Sequence, residues 1–87
     1  MRTILNAGVR VIGTNQHAAL VALLRAKRRA AGLRQADVAT RIGEKQQWVA
    51  AIEAGQRRIS VVELIALAKA IGFDAATAVS KIAKVKD

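Results

Sequence analysis

Cysteine is absent from the 87-residue chain, and its absence excludes disulfides, thiolate metal sites and a cysteine nucleophile. Proline is absent too, and the aromatic residues are reduced to Trp48 and Phe73. A core must therefore be built from Leu, Ile, Val and Ala, and an alanine-rich chain without proline favours helices over sheets. Acidic residues are scarce: six Asp and Glu stand against fifteen Lys and Arg, a formal net charge of +9. A domain this basic suits a polyanion, which leaves DNA, RNA and an anionic membrane surface open. Histidine occurs once, at position 17, so no second imidazole is available for a metal site. The carboxylates are scattered, and no Gly-rich phosphate loop, Walker pattern or nucleophile elbow appears. No enzyme activity, metal or cofactor is expected. The longest uninterrupted apolar run, Ala18 to Leu24, is too short to span a bilayer. Residues 1–13 are broken by Asn6 and Arg10 and make a poor export signal, so a cytoplasmic location is expected.

What is present is enough for one core. Hydrophobic residues make up 53% of the chain, and the length suits one small domain. Residues 1–14 read as an N-terminal arm, with Arg10, Val11 and Ile12 able to extend as a short strand between Gly8 and Gly13. The arm is either a loosely docked tail or a segment that swaps onto a partner copy or reaches a DNA groove through Arg2 and Arg10. Residues 15–83 read as a helical domain, and 84–87 as a frayed tail. Thr14 and Asn15 are good N-caps for a first helix over 18–31, with Leu20, Leu23, Leu24 and Ala31 on one face. Its last turns are crowded with Arg25, Lys27, Arg28 and Arg29, where cations suit the helix dipole. His17, at its start, reads as a surface or capping residue.

A second helix is predicted from Arg34 or Gln35 to Ile42, stopped by Gly43, and a third from about Lys45 to Glu53 or Ala54, followed by Gly55. Ser60 with Glu63 three residues on is a capping box for a fourth helix carrying Leu64, Leu67, Ala68 and Ile71, closed by Gly72. Asp74 caps a fifth, running through Val79 to about Ile82. Short connections between five helices point to an all-α orthogonal bundle. Within it, the second helix, the glycine turn and the short third helix have the spacing of a helix-turn-helix. Ala39 is small enough for the third helix to cross close by, and Val38, Val49 and Ile52 face inward. Gln46, Gln47, Ala50 and Ala51 lie opposite the Val49 and Ile52 stripe.

From about Leu24 to Phe73 the chain resembles the Cro/cI-type (XRE-type) helix-turn-helix family. The matching residues are Gly32-Leu33-Arg34-Gln35-Ala36-Asp37-Val38-Ala39, Ile42-Gly43, Gln46 to Glu53 with Gly55, and then Leu64, Leu67-Ala68 and Ala70-Ile71-Gly72. The resemblance implies a lambda-repressor-like bundle whose third helix enters the major groove of double-stranded DNA. Base contacts then fall to Gln46, Gln47, Ala50 and Ala51, because glutamine pairs with adenine N6 and N7 and alanine touches a thymine methyl. Phosphate contacts fall to Arg34 and Gln35 at the start of the second helix, and to Lys45, Arg57 and Arg58. Trp48 is read first as packing and second as a phosphate donor. The resemblance also implies a structural ion pair between Arg28 and Glu53. Arg41, Lys69, Lys81, Lys84 and Lys86 read as solvated surface charges.

The function expected is a sequence-specific transcriptional regulator acting as a homodimer on a pseudo-palindromic operator. Val79, Ile82 and Val85 offer apolar surface for the second copy. The alternative is an antitoxin-type protein whose main partner is a toxin and whose DNA binding is autoregulatory. No acidic or hydrophobic tail for wrapping a toxin is apparent. A membrane-surface role for the basic first helix fits the glycine-capped helix-turn-helix pattern less well.

Overall fold

Capping chemistry sets where each helix begins. The computed structural model describes residues 11–87, which form five helices: α1 (Asn15–Ala30), α2 (Gln35–Ile42), α3 (Gln46–Glu53), α4 (Val61–Ile71) and α5 (Ala75–Ala83). Thr14 caps α1, its hydroxyl accepting from the His17 backbone N–H at 3.0 Å. The helix therefore begins three residues before the position expected from the apolar stripe. Val11 and Ile12 are not a strand. They form a turn, closed by the Thr14 N–H and hydroxyl on the Val11 carbonyl. The rest of the arm, with Arg2 and Arg10, lies outside the described residues. Ser60 and Glu63 form the expected reciprocal box at α4, and Asp74 caps α5 by accepting from the Thr77 N–H.

The ends of α1 to α4 follow one rule. Residues Leu33, Glu44, Gln56 and Phe73 each donate a backbone N–H to the carbonyl five residues back, across a glycine of positive φ. This is the Schellman ending, which satisfies carbonyls the helix leaves open. At Gly43 the geometry matters most, because its φ of 72° turns the chain between α2 and α3.

The core is aliphatic, as the composition requires. Leu24, Val38, Val49 and Ile52 are almost wholly enclosed, joined by Ala39, Leu64 and Leu67. α2 packs on both α3 and α4, while α1 packs on α3 and α5. Leu33, Ile42, Trp48, Ile59, Ile71 and Phe73 close the cluster from its edges. No helix among the described residues is long and apolar enough to cross a membrane.

Two side chains depart from expectation. His17 is buried rather than superficial. The earlier helix start makes it the third residue of α1 and turns its ring inward, where Nε2 meets no hydrogen-bond partner among the described residues. Arg41 is exposed but tethered: its Nη1 donates to the Ala70 carbonyl at 2.7 Å, tying α2 to the C-terminal turn of α4. The segment 84–87, expected to fray, makes three hydrogen bonds with the start of α1. Asn15 and Gln16 side-chain amides donate to the Lys86 and Val85 carbonyls, and the Gln16 N–H donates to Asp87.

Candidate nucleic-acid interface

Helix α3 is amphipathic over only two turns. Val49 and Ile52 fix it to the core, leaving Gln46 and Gln47 exposed and Ala50 and Ala51 partly so. No other described residue covers this outer face. Lys45 is the N-cap and its side chain accepts nothing, as expected of an ammonium group, which can only donate. The first turn of α3 thus lacks the side-chain cap that α1, α4 and α5 possess.

The orientation of α3 is held by its last residue. Glu53 is 4% exposed, a position an unpaired carboxylate cannot occupy cheaply. Arg28 of α1 meets it in a two-pronged contact, Nε to Oε2 at 2.6 Å and Nη2 to Oε1 at 2.8 Å. The Arg28 Nη1 donates in turn to the Leu33 carbonyl at 2.8 Å. Gln35 of α2 donates to Glu53 Oε1 at 3.1 Å. Because a carboxylate only accepts, this contact fixes which way the Gln35 amide points. Arg25 joins from α1, donating to the Glu53 backbone carbonyl at 2.6 Å. One carboxylate therefore ties α3 to both α1 and α2. Burial alone raises the Glu53 pKa, but the Arg28 and Gln35 hydrogen bonds outweigh it and leave the group below the ordinary carboxylate value. The same contact raises the Arg28 pKa against the opposing effect of burial.

The cations around α3 differ in how free they are. Arg34 is 83% exposed, yet its guanidinium and backbone N–H both donate to Asp37. Asp37 is held at a pKa of about 2 by the Arg34 side chain first and the Arg34 backbone second. Arg57 lies over the Trp48 ring, 4.9 Å from its centroid, and donates to Glu63 at 3.0 Å. Trp48 is thus half-buried on the core while its face receives a cation, a favourable arrangement for indole. Lys45 and Arg58 are exposed and take part in no ion pair among the described residues. Lys69, Lys81, Lys84 and Lys86 are exposed as well. Sequence reasoning missed Arg25, and missed the capture of Arg34 and Arg57 by acids three and six residues ahead. The Asp37 spacing, a carboxylate at the third position of a helix, was the available signal for the first.

An exposed polar ridge on a short helix, anchored from behind and following a glycine turn, is the geometry of a DNA-reading helix-turn-helix. Residues 19–79 match the model of a helix-turn-helix domain family. The chain belongs to the XRE-type helix-turn-helix family. Among solved structures it is similar to an XRE-family-like protein from Pseudomonas syringae, at 35% identity over 78% of this chain and 83% of that one, with a TM-score of 0.75. It is also similar to the restriction-modification controller protein C.AhdI from Aeromonas hydrophila, at 29% identity over 75% and 98% of the two chains, TM-score 0.69. The clp gene regulator ClgR from C. glutamicum shares the fold, at 23% identity over 80% and 91%, TM-score 0.72. No curated protein matches the sequence significantly. As a member of the XRE-type family, the chain is a DNA-binding transcriptional regulator, a class that is generally non-enzymatic.

Proposed function

We propose that this regulator reads a specific duplex sequence through α3, two copies binding a pseudo-palindromic operator. The observation that carries the reading is the pairing of an exposed Gln46–Gln47 edge with a buried Glu53 anchor at the other end of the same helix. A reading helix needs both, since side chains recognise base edges only when the helix behind them is held at one angle. Gln46 and Gln47 take the base-edge positions, with adenine the best partner for a glutamine amide. Ala50 and Ala51 offer methyl groups to thymine.

Phosphates are met by Lys45 and Arg58, which have no internal acid to leave. Arg34 and Gln35 contribute at the start of α2, Gln35 through the amide N–H that Glu53 does not hold. Arg57 and Trp48 act together, the ring and Glu63 fixing a guanidinium beside the backbone. Two copies are needed because one short helix contacts only a few base pairs.

The test is selection of bound sequences from a random duplex pool, repeated with Gln46→Ala and Gln47→Ala. The expected result is an inverted repeat with half-sites about one helical turn apart, and loss of preference at one position per half-site in each variant. A pool that returns no common sequence would refute the reading.

A further inference from the structure

The loop between α3 and α4 carries a hydroxyl that the DNA reading leaves unused. Ser60 is exposed and its backbone is extended, with φ −71° and ψ 161°. Its Oγ accepts the Glu63 N–H at 3.0 Å, while its own hydrogen finds no acceptor among the described residues. Thr14, Thr40 and Thr77 donate theirs to Val11, Ala36 and Asp74. Ser80 is exposed too, but it lies inside α5 with no cation before it in that helix. Ser60 alone among the serines and threonines follows two arginines within three residues, in the run Arg57-Arg58-Ile59-Ser60. Residues 56–60 belong to no helix. Protein kinases select their substrates by such charge patterns, and a hydroxyl on open, extended chain is the form they can reach.

The surroundings of Ser60 suit an added anion. Arg57 Nη2 donates to Glu63 Oε2 at 3.0 Å, and Glu63 Oε1 accepts the Ser60 N–H at 2.9 Å. A single carboxylate therefore stands between the Arg57 guanidinium and Ser60. The Arg57 Nη1 is buried and has no partner among the described residues, a donor left short of an acceptor. Arg58 is exposed and in no ion pair among the described residues. A phosphate on the Ser60 Oγ would carry about two negative charges at neutral pH, with more acceptor oxygens than the carboxylate has. Like charge drives it and Glu63 apart, and the stronger anion takes Arg57.

We propose that Ser60 is a phosphorylation site for an arginine-directed protein kinase, and that its phosphate draws Arg57 and Arg58 away from DNA. The step is phosphoryl transfer from a nucleoside triphosphate. Ser60 Oγ bonds to the γ-phosphorus, and the bond from that phosphorus to its bridging oxygen breaks. The nucleoside diphosphate leaves with the electron pair, and the hydroxyl proton passes to a base of the kinase. The effect on DNA rests on the reading above, in which both arginines meet backbone phosphates.

The experiment incubates the folded full chain with MgATP and a serine kinase that requires arginine two and three residues before its target. Peptide mass spectrometry then locates the phosphate. It is expected on Ser60, and nowhere on Ser60→Asn, which keeps a capping side chain without the hydroxyl. The modified protein should bind duplex DNA about 10-fold more weakly, or weaker still, at about 0.1 M salt. Its salt slope should fall by about 0.9 for each arginine engaged, on every sequence alike and with unchanged helical circular dichroism. Ser60→Asn should bind as the unmodified wild type does, before and after kinase treatment.

A chain that takes no phosphate, or takes it on another hydroxyl, overturns the inference. Modified protein that binds as tightly as unmodified protein overturns it as well. So does a loss of helical signal in step with affinity, since the phosphate would then act by unfolding α4. If the unmodified chain binds every duplex alike, the operator reading fails and this inference stands, because charge neutralised in the loop weakens binding to any sequence.

Discussion

At the scale of single residues, the molecule depends most on Glu53. It is the buried acid where three helices meet, and its partners are arranged so that its removal strands another charge. Glu53→Gln retains the shape and one acceptor but leaves the Arg28 guanidinium, itself buried, without a counter-ion. Breaking one side of such a pair costs about 3 kcal/mol or more, and chemical denaturation at neutral pH should show a loss of that order. The same residue predicts an acid limb. Its pKa in the folded state is below the ordinary value, so the unfolded chain binds the proton more readily. Stability from this group is complete above the ordinary carboxylate pKa of about 4.3 and drains away as pH falls through the lowered folded-state value. Denaturation midpoints recorded from pH 6 downward should therefore fall more steeply for the wild type than for Glu53→Gln, the two curves converging in acid. Parallel curves would mean that Glu53 keeps its ordinary pKa in the fold.

At the scale of elements, boundaries are decided by a few capping residues, and this is where the sequence was most and least legible. Ser60 with Glu63, Asp74, and the glycines at 32, 43, 55 and 72 announce their roles because each has a steric or hydrogen-bonding reason to be there. The start of α1 was harder. Thr14 and Asn15 both cap well, and the first strongly apolar residues come later, so the stripe pointed to Ala18 while the Thr14 hydroxyl begins the helix at Asn15. The burial of His17 follows from that shift and had no signal of its own. Contacts between elements were legible only where spacing is local. The exposed ridge of α3 follows from helical periodicity, whereas the Arg41 bond to Ala70 and the Arg25 bond to Glu53 depend on how helices cross. Two predictions belong here. Gly43→Ala meets no steric obstacle, so its only penalty is the left-handed φ, about 1–2 kcal/mol; Gly43→Asn should lose less in the same thermal melts. Lys45→Ser supplies the cap that α3 lacks and should raise stability by up to about 1 kcal/mol, while removing a cation from the DNA-facing end. A variant both more stable and weaker in DNA binding would separate the two demands on that position.

At the scale of the whole molecule, the balance of charge is what a duplex meets first, but three of the fifteen Lys and Arg are already held by acids of the fold. Arg28 is enclosed with Glu53, Arg34 is shared with Asp37, and Arg57 is shared with Glu63 and Trp48. These pairs build the scaffold that presents α3, so their cations release few counter-ions on binding unless they let go of their acids. Lys45 and Arg58 have no such partner among the described residues; Lys45 precedes α3 and Arg58 lies in the loop that follows it. The logarithm of affinity falls with the logarithm of salt concentration by about 0.9 per phosphate neutralised on duplex DNA. The Lys45→Gln/Arg58→Gln double variant should therefore lower that slope by about 1.8, with weakening of similar size on every sequence and an unchanged melting temperature. Arg57→Gln should behave in the opposite way. Its loss frees Glu63 and uncovers Trp48, so it should lower the melting temperature and shift the Trp48 fluorescence before DNA is added, with a smaller change in slope. Trp48 is the only tryptophan, so its emission reports on that site alone. A slope change of about 0.9 in Arg57→Gln, half that of the double variant, would show that Glu63 releases Arg57 to the phosphates, and that the ion pairs beside α3 serve as a reserve of charge rather than as its frame.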